Sequence, residues 1–170
     1  MGVNRNKPHV FVLPEDDADR RVANGFRLQL AGNAFWQMQV LPVAGGWNRV
    51  LTLFENDHLA PMGRFPNRFM VLLIDFDNDE ARLEVAKRSV PEHLTNRVFI
   101  LGSLTEPEAL KPDLGSLETI GSKMAEDCRA DITDRAWGHR LLRHNSGELD
   151  RFTRTPTPDP VFSHMKPAEK

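Results

Sequence analysis

Three short apolar runs without polar alternation constrain this chain most. They are His9-Val-Phe-Val-Leu13, Phe69-Met-Val-Leu-Leu-Ile74 and Val98-Phe-Ile-Leu101. A strand with one wet face alternates apolar and polar residues, whereas a strand covered on both faces is apolar throughout. These runs therefore read as interior strands of a parallel sheet. A fourth segment, Gln37-Met-Gln-Val-Leu41, partly alternates and fits a peripheral strand.

Helical periodicity fills the intervals. Ala18, Val22, Phe26 and Leu30 recur every four residues, with Asp16 or Asp17 available as N-cap. After Gly45-Gly46, the residues Trp47, Val50, Leu51 and Phe54 share one helical face. Asp79 is placed to cap a helix carrying Leu83, Ala86 and Val90, which Pro91 closes. The order strand, helix, strand, helix, strand, helix, strand predicts a Rossmann-like α/β domain. Its sheet has four mostly parallel strands flanked by helices, with right-handed crossovers.

The last third is helical in pattern. Leu114, Leu117, Ile120 and Met124 predict a helix beginning near Ser116. Thr133 as N-cap, with Ile132 and Trp137 at staple positions, predicts a second helix that ends at Asn145-Ser-Gly147. Residues 8–150 then form a single domain with helical C-terminal extension. Residues 153–170, with Pro156, Pro158, Pro160 and Pro167, read as an extended or disordered tail.

Composition narrows the chemistry. The 170 residues include 24 acidic and 22 basic side chains, for a formal charge of −2, so bulk basicity gives no argument for nucleic-acid binding. One cysteine excludes a disulfide framework and any multi-thiolate site built from this chain. The polar N-terminus lacks a signal-peptide run, and Phe69–Ile74 is far short of the roughly 20 residues that span a bilayer. A soluble, cytoplasmic protein is the expectation.

Acidic residues fall where strands end. The first strand runs into Glu15-Asp16-Asp17, and the third into Asp75-Phe-Asp77-Asn-Asp79. Open parallel sheets bind ligands at the carboxyl ends of their strands, where strand order reverses. Carboxylates crowded there repel one another unless a cation compensates, and hard oxygen ligands suit Mg²⁺ or Mn²⁺. A cation held by Glu15, Asp75 and Asp77 would orient a phosphodiester and activate water. The plainer reading is that Asp16, Asp17 and Asp79 only cap helices.

Glu15 with Asp75-Phe-Asp77 resembles the TOPRIM domain, whose hallmark is a glutamate after the first strand and a DxD motif after the third. The resemblance covers about residues 8–110. Pro42-Val-Ala-Gly-Gly-Trp-Asn-Arg-Val50 is similar to the glycine-containing turn of OLD-family nucleases. Asp16 stands where the family commonly carries glycine. The resemblance implies metal-dependent nuclease chemistry on DNA or RNA, with Glu15, Asp75 and Asp77 catalytic and Asp79, Glu106 and Glu108 as further metal candidates. Glu106 and Glu108 equally suit a helix N-terminus. The chain has no tyrosine, which excludes a topoisomerase-type nucleophile, and one cysteine cannot build a primase zinc module. A hydrolytic nuclease remains, and the short chain suggests a separately encoded ATPase or DNA-binding partner in genome defence or repair.

Arg129, Arg135, Arg140, Arg143, Arg151 and Arg154 make the C-terminal region locally basic, with Arg135/His139 and Arg140/His144 four residues apart. Arg135, Arg140 and Arg143 are the candidate nucleic-acid contacts, against the alternative of a solvated face paired with local acids. Cys128 suits a small buried residue better than a nucleophile. Two other functional readings stand beside the nuclease. One is a non-catalytic interaction subunit. The other is a receiver domain phosphorylated at Asp75 beside Asp16-Asp17, which lacks a suitably placed lysine after the fourth strand.

Overall fold

The computed structural model describes residues 2–30, 32–130 and 135–154. Its chain order is β1 (His9–Pro14), α1 (Asp17–Leu28), the short α2 (Asn33–Trp36), β2 (Met38–Val40), α3 (Trp47–Leu53) and α4 (Leu59–Arg64). There follow β3 (Arg68–Leu73), α5 (Ala81–Arg88), β4 (Val98–Leu101), the short α6 (Lys111–Leu114), α7 (Leu117–Ala130) and α8 (Ser146–Arg154). All strand pairs are parallel, in the order β2-β1-β3-β4. The four apolar segments are the four strands, and the α/β, Rossmann-like architecture read from them is the observed one.

The continuous apolar runs are explained by two cores. Val10, Val12, Phe69, Val71, Phe99 and Leu101 point into a core shared with α1, α7 and α8. The alternate residues Phe11, Leu13, Met70, Leu72, Val98 and Ile100 point into a second core with α3, α4 and α5. A period of two with both faces dry confines the polar residues of β1 and β3 to their first positions, His9 and Arg68.

On the first face, α1 begins at the N-cap Asp16, whose Oδ1 accepts the Asp19 N–H at 3.0 Å. It packs closely on α7, because each helix puts a glycine at the crossing. A Cβ on Gly25 would lie 2.1 Å from the Glu118 carbonyl oxygen, and one on Gly121 would lie 1.9 Å from that of Val22. On the second face, α3 passes through a π-helical turn, Phe54–His58, into α4.

The predicted helix from Thr133 to Asn145 is not formed over its described part. Thr133 itself lies outside the described residues, and residues 135–142 run as turns. Buried Asp127 on α7 accepts the N–H groups of Ala136 (2.8 Å) and Trp137 (3.1 Å), and the Trp137 Nε1–H donates to the Met124 carbonyl at 3.0 Å. These tertiary bonds replace the local i→i−4 ladder. The helix instead begins where the sequence signals an end, at Ser146, and runs to Arg154 with Leu149 and Phe152 buried. Each such side chain contributes about 2 kcal/mol by leaving water. The domain thus extends slightly past residue 150, and residues 155–170 of the expected tail lie outside the described residues.

This C-terminal region also closes an exposed sheet edge. β4 is an outer strand, and unpaired edge groups invite intermolecular pairing. Here Glu148 Oε2 accepts the Ile100 N–H at 2.9 Å. Asn145 mimics a peptide, accepting from the Gly102 N–H at 3.1 Å and donating to its carbonyl at 2.8 Å. No helix among the described residues is long and apolar enough to cross a membrane.

Candidate metal centre

The strand order places β1 between β2 and β3, so the chain leaves β1 toward one side of the sheet and later returns on the other. That reversal opens a crevice at the carboxyl ends of β1 and β3. Glu15 directly follows β1, and Asp75 follows β3 by two residues. Asp19 enters from the first turn of α1. Glu15, Asp19 and Asp75 each bring one carboxylate oxygen into a group whose atoms all lie within 4.8 Å of one another.

Backbone bonds fix the crevice. The Asp75 N–H donates to Glu15 Oε2 at 2.6 Å, and the Glu15 N–H donates to the Leu73 carbonyl at 2.9 Å. The Gly45 N–H donates to the Glu15 carbonyl at 2.8 Å. Gly45 sits at φ 94°, a left-handed conformation that favours glycine and brings this loop under the end of β1. The glycine turn noted in the sequence therefore serves the crevice through its backbone.

The electrostatics are those of an uncompensated acidic cluster. Burial, followed by repulsion from Asp75, Asp16 and Glu15, holds the Asp19 carboxyl far above the usual carboxylate range. Burial and repulsion from Glu15 and Asp16 likewise raise Asp75. Glu15 is raised by burial, against the lowering effect of the Asp75 N–H bond. Asp19 is only 1% exposed, and with both carboxylates ionised neither its Oδ2 nor Asp75 Oδ1 has a hydrogen-bond partner, whereas a proton on Asp19 bonds the two side chains to each other. Buried polar oxygens without partners cost free energy, so their clustering fits a site completed by a cation. The donor set is all carboxylate oxygen, which matches a hard divalent ion. This acidic triad can hold a metal ion.

Arg82 borders the site. Its Nη1 donates to the Asp75 carbonyl at 2.9 Å, its Nη2 donates to Asp77 Oδ2 at 3.4 Å, and its Cζ lies 4.6 Å from the Trp47 ring centroid. Behind Asp19 lies a cavity of about 30 Å³, lined also by Ser103, Leu110, Met124 and Trp137. The Ser103 hydroxyl there is buried without a partner too.

Of the residues expected from sequence, Glu15 and Asp75 meet in the cluster. Asp77 does not join it. Its backbone turns to φ 51° and its side chain, 79% exposed, faces Arg82. Asp79 accepts the Ala81 N–H at 3.0 Å, the capping role weighed for it. Glu106 precedes a short 3-10 turn and is exposed, as is Glu108, although Glu108 still helps raise Asp75.

Arg135 lies 3.9 Å from Glu126, and Arg140 and Arg143 are exposed. The expected helical pairs do not share a face, since this segment is turns: His139 bonds Asp113 Oδ2 at 2.8 Å, and His144 packs edge-on against Phe76. Burial pushes the Cys128 thiol up to about 12, which disfavours a nucleophilic thiolate.

Sequence reasoning missed Asp19 and Arg82. A signal for Asp19 existed: with Val22, Ala23 and Phe26 it occupies the buried i, i+3, i+4, i+7 stripe of α1, an unfavourable place for an unpaired carboxylate. Arg82 carried no comparable mark.

The fold and site define an α/β protein with a three-carboxylate centre at the switch point of a parallel sheet. Searches against protein-family models, curated proteins and solved structures found no match. No comparison identifies a TOPRIM domain, and that resemblance rests on the sequence motifs alone: Glu15, Asp75-Phe-Asp77 and the Pro42–Val50 turn.

Proposed function

We propose that this protein is a divalent-cation-dependent phosphodiester hydrolase of TOPRIM type, acting on DNA or RNA with Mg²⁺ or Mn²⁺ held by Glu15, Asp19 and Asp75. The observation that carries the reading is the convergence of the Glu15, Asp19 and Asp75 carboxylates, with ligand oxygens within 4.8 Å of one another and no partner outside the cluster for Asp19 Oδ2 and Asp75 Oδ1. A bound cation of this kind polarises a phosphoryl oxygen and activates water.

The chain's own residues supply the rest. The Asp75 N–H orients the Glu15 carboxylate, and the Asp75 carbonyl with the Trp47 ring orients the Arg82 guanidinium. Arg82 then presents fixed positive charge beside the centre, where negative charge develops in phosphoryl transfer. Exposed Arg135, Arg140 and Arg143 contact the nucleic-acid backbone. With a formal charge of −2, the chain draws further grip from a separately encoded ATPase or DNA-binding partner.

The test is an assay of the full chain on single- and double-stranded DNA and RNA with Mg²⁺ or Mn²⁺. Cleavage should require the cation and disappear in Asp75→Asn and in Asp19→Asn. Cleavage that persists in both variants would overturn the reading. Cation binding without cleavage of any substrate would leave a non-catalytic interaction subunit in its place.

A further inference from the structure

The opposite edge of the sheet gathers positive charge. Arg68 opens β3 and is only 3% exposed, yet no described carboxylate pairs with it. Buried charges are ordinarily paired. Its Nε–H donates to His9 Nε2 at 3.1 Å, while His9 Nδ1 bonds the Lys7 carbonyl at 2.8 Å, so the histidine is a neutral acceptor. The terminal nitrogens of Arg68 have no hydrogen-bond partner among the described residues.

Aromatic rings hold this guanidinium in place. Its Cζ lies 4.2 Å from the Phe11 ring centroid and 4.7 Å from that of Phe65. Exposed Arg5 converges on the same Phe65 ring, with Cζ at 5.0 Å. Exposed Arg64 ends α4 one residue before Phe65, and neither it nor Arg5 forms an ion pair among the described residues. Arg97 stiffens the corner by donating to the carbonyls of Met62, Phe65 and Arg68, each at 3.1 Å. Nearby, Asp57 and Arg68 act on His58 in opposite senses, the acid raising it and the guanidinium, after burial, lowering it.

We propose that Arg5, Arg64 and Arg68 form a second binding site, for the phosphate group of a small molecule or of a nucleic-acid backbone. The guanidiniums of Arg5 and Arg68 converge on the Phe65 ring, Arg64 adjoins that residue in the chain, and none of the three pairs with an acid among the described residues, which suits an oxyanion that accepts several charge-assisted hydrogen bonds. Burial and the repulsion of Arg5 and Arg64 both depress the Arg68 pKa, an energetic cost that a bound anion would relieve. The site is independent of the hydrolase reading. Arg68 opens β3 and Asp75 lies beyond its other end, with the length of the strand from Arg68 to Leu73, about 17 Å, between them.

The experiment titrates the isotope-labelled full chain with inorganic phosphate and follows amide and arginine Nε–H signals by NMR. Saturable shifts are expected at Arg5, Phe65 and Arg68 and not at Glu15 or Asp75. The exposed reversals Arg5→Glu and Arg64→Glu should weaken binding at least about tenfold each, without altering the melting temperature.

No saturable shift below about 10 mM phosphate would overturn the proposal. So would affinity unchanged in the double reversal. A parallel titration with a short single-stranded oligonucleotide separates the sources. Tighter, salt-sensitive binding that both reversals weaken assigns the site to a nucleic-acid backbone. Binding no tighter than that of phosphate assigns it to a small phosphorylated molecule.

Discussion

The two ends of the sheet are opposite poles built by different means. At the carboxyl ends of β1 and β3, Glu15, Asp19 and Asp75 crowd like charges together and leave two oxygens without a partner outside the cluster. At the amino ends, Arg68 is buried among cations, but Phe11, Phe65 and a neutral His9 surround it. Aromatic faces stabilise the cation directly, while burial and the repulsion of Arg5 and Arg64 still leave it a cost. The negative pole holds its protons or takes up a metal.

The largest expected effect breaks that contrast at the acidic end. Outer partners of metal ligands are alone worth about 10–100-fold in affinity, so Asp75→Ala should weaken Mn²⁺ binding by more than about 100-fold. Isothermal calorimetry on the folded variant measures it.

At the other end, Arg68→Ala removes a hydrogen bond and two cation–π contacts of about 0.5–2 kcal/mol each. It should destabilise the protein by about 2–3 kcal/mol in a urea titration, with or without metal. A loss seen only in the presence of metal would show that the two poles are not independent.

The pH dependence sharpens the comparison further. Asp19 and Asp75 are raised, so the folded state keeps protons that the unfolded chain releases above the ordinary value of 3.8. Stability of the metal-free protein should therefore fall as pH rises from about 4 toward the raised values of these groups. Asp19→Asn should flatten that fall, stabilising the metal-free protein at neutral pH and changing little near pH 4. Saturating Mn²⁺ should restore the wild type, by about 2.7 kcal/mol at a hundredfold excess over Kd. Thermal melts across pH provide the check.

The smallest effect belongs to Asp77→Asn. Its side chain is exposed and faces Arg82, so Mn²⁺ affinity should change by less than about threefold. A change approaching that of Asp75 would place Asp77 among the ligands after all.

Much of this molecule is legible in order along the chain. Continuous apolar runs mark strands buried on both faces, and spacings of three and four mark α1 and α7. The residues following β1 and β3 mark the crevice. The helix expected from Thr133 shows where local signals lose: buried Asp127 takes the Ala136 and Trp137 N–H groups, and the chain runs as turns to residue 142, then a short 3-10 turn over Arg143–Asn145. Local capping contributes about 1 kcal/mol, less than a set of buried tertiary hydrogen bonds and an anchored tryptophan.

By itself the sequence determined the α/β class, the strands, and the presence of Glu15 and Asp75 at strand ends, because these follow from periodicity and from chain neighbours. Composition alone, with no tyrosine and a single cysteine, excluded whole chemistries, but the −2 charge concealed two strongly polarised ends. Only the tertiary structure decided which carboxylates meet. It brought Asp19 in from α1 and turned Asp77 out toward Arg82. It also set Arg5 beside Arg68 at the far pole. Each of these is a distance between residues on different elements, and such distances come from packing, which no local pattern records.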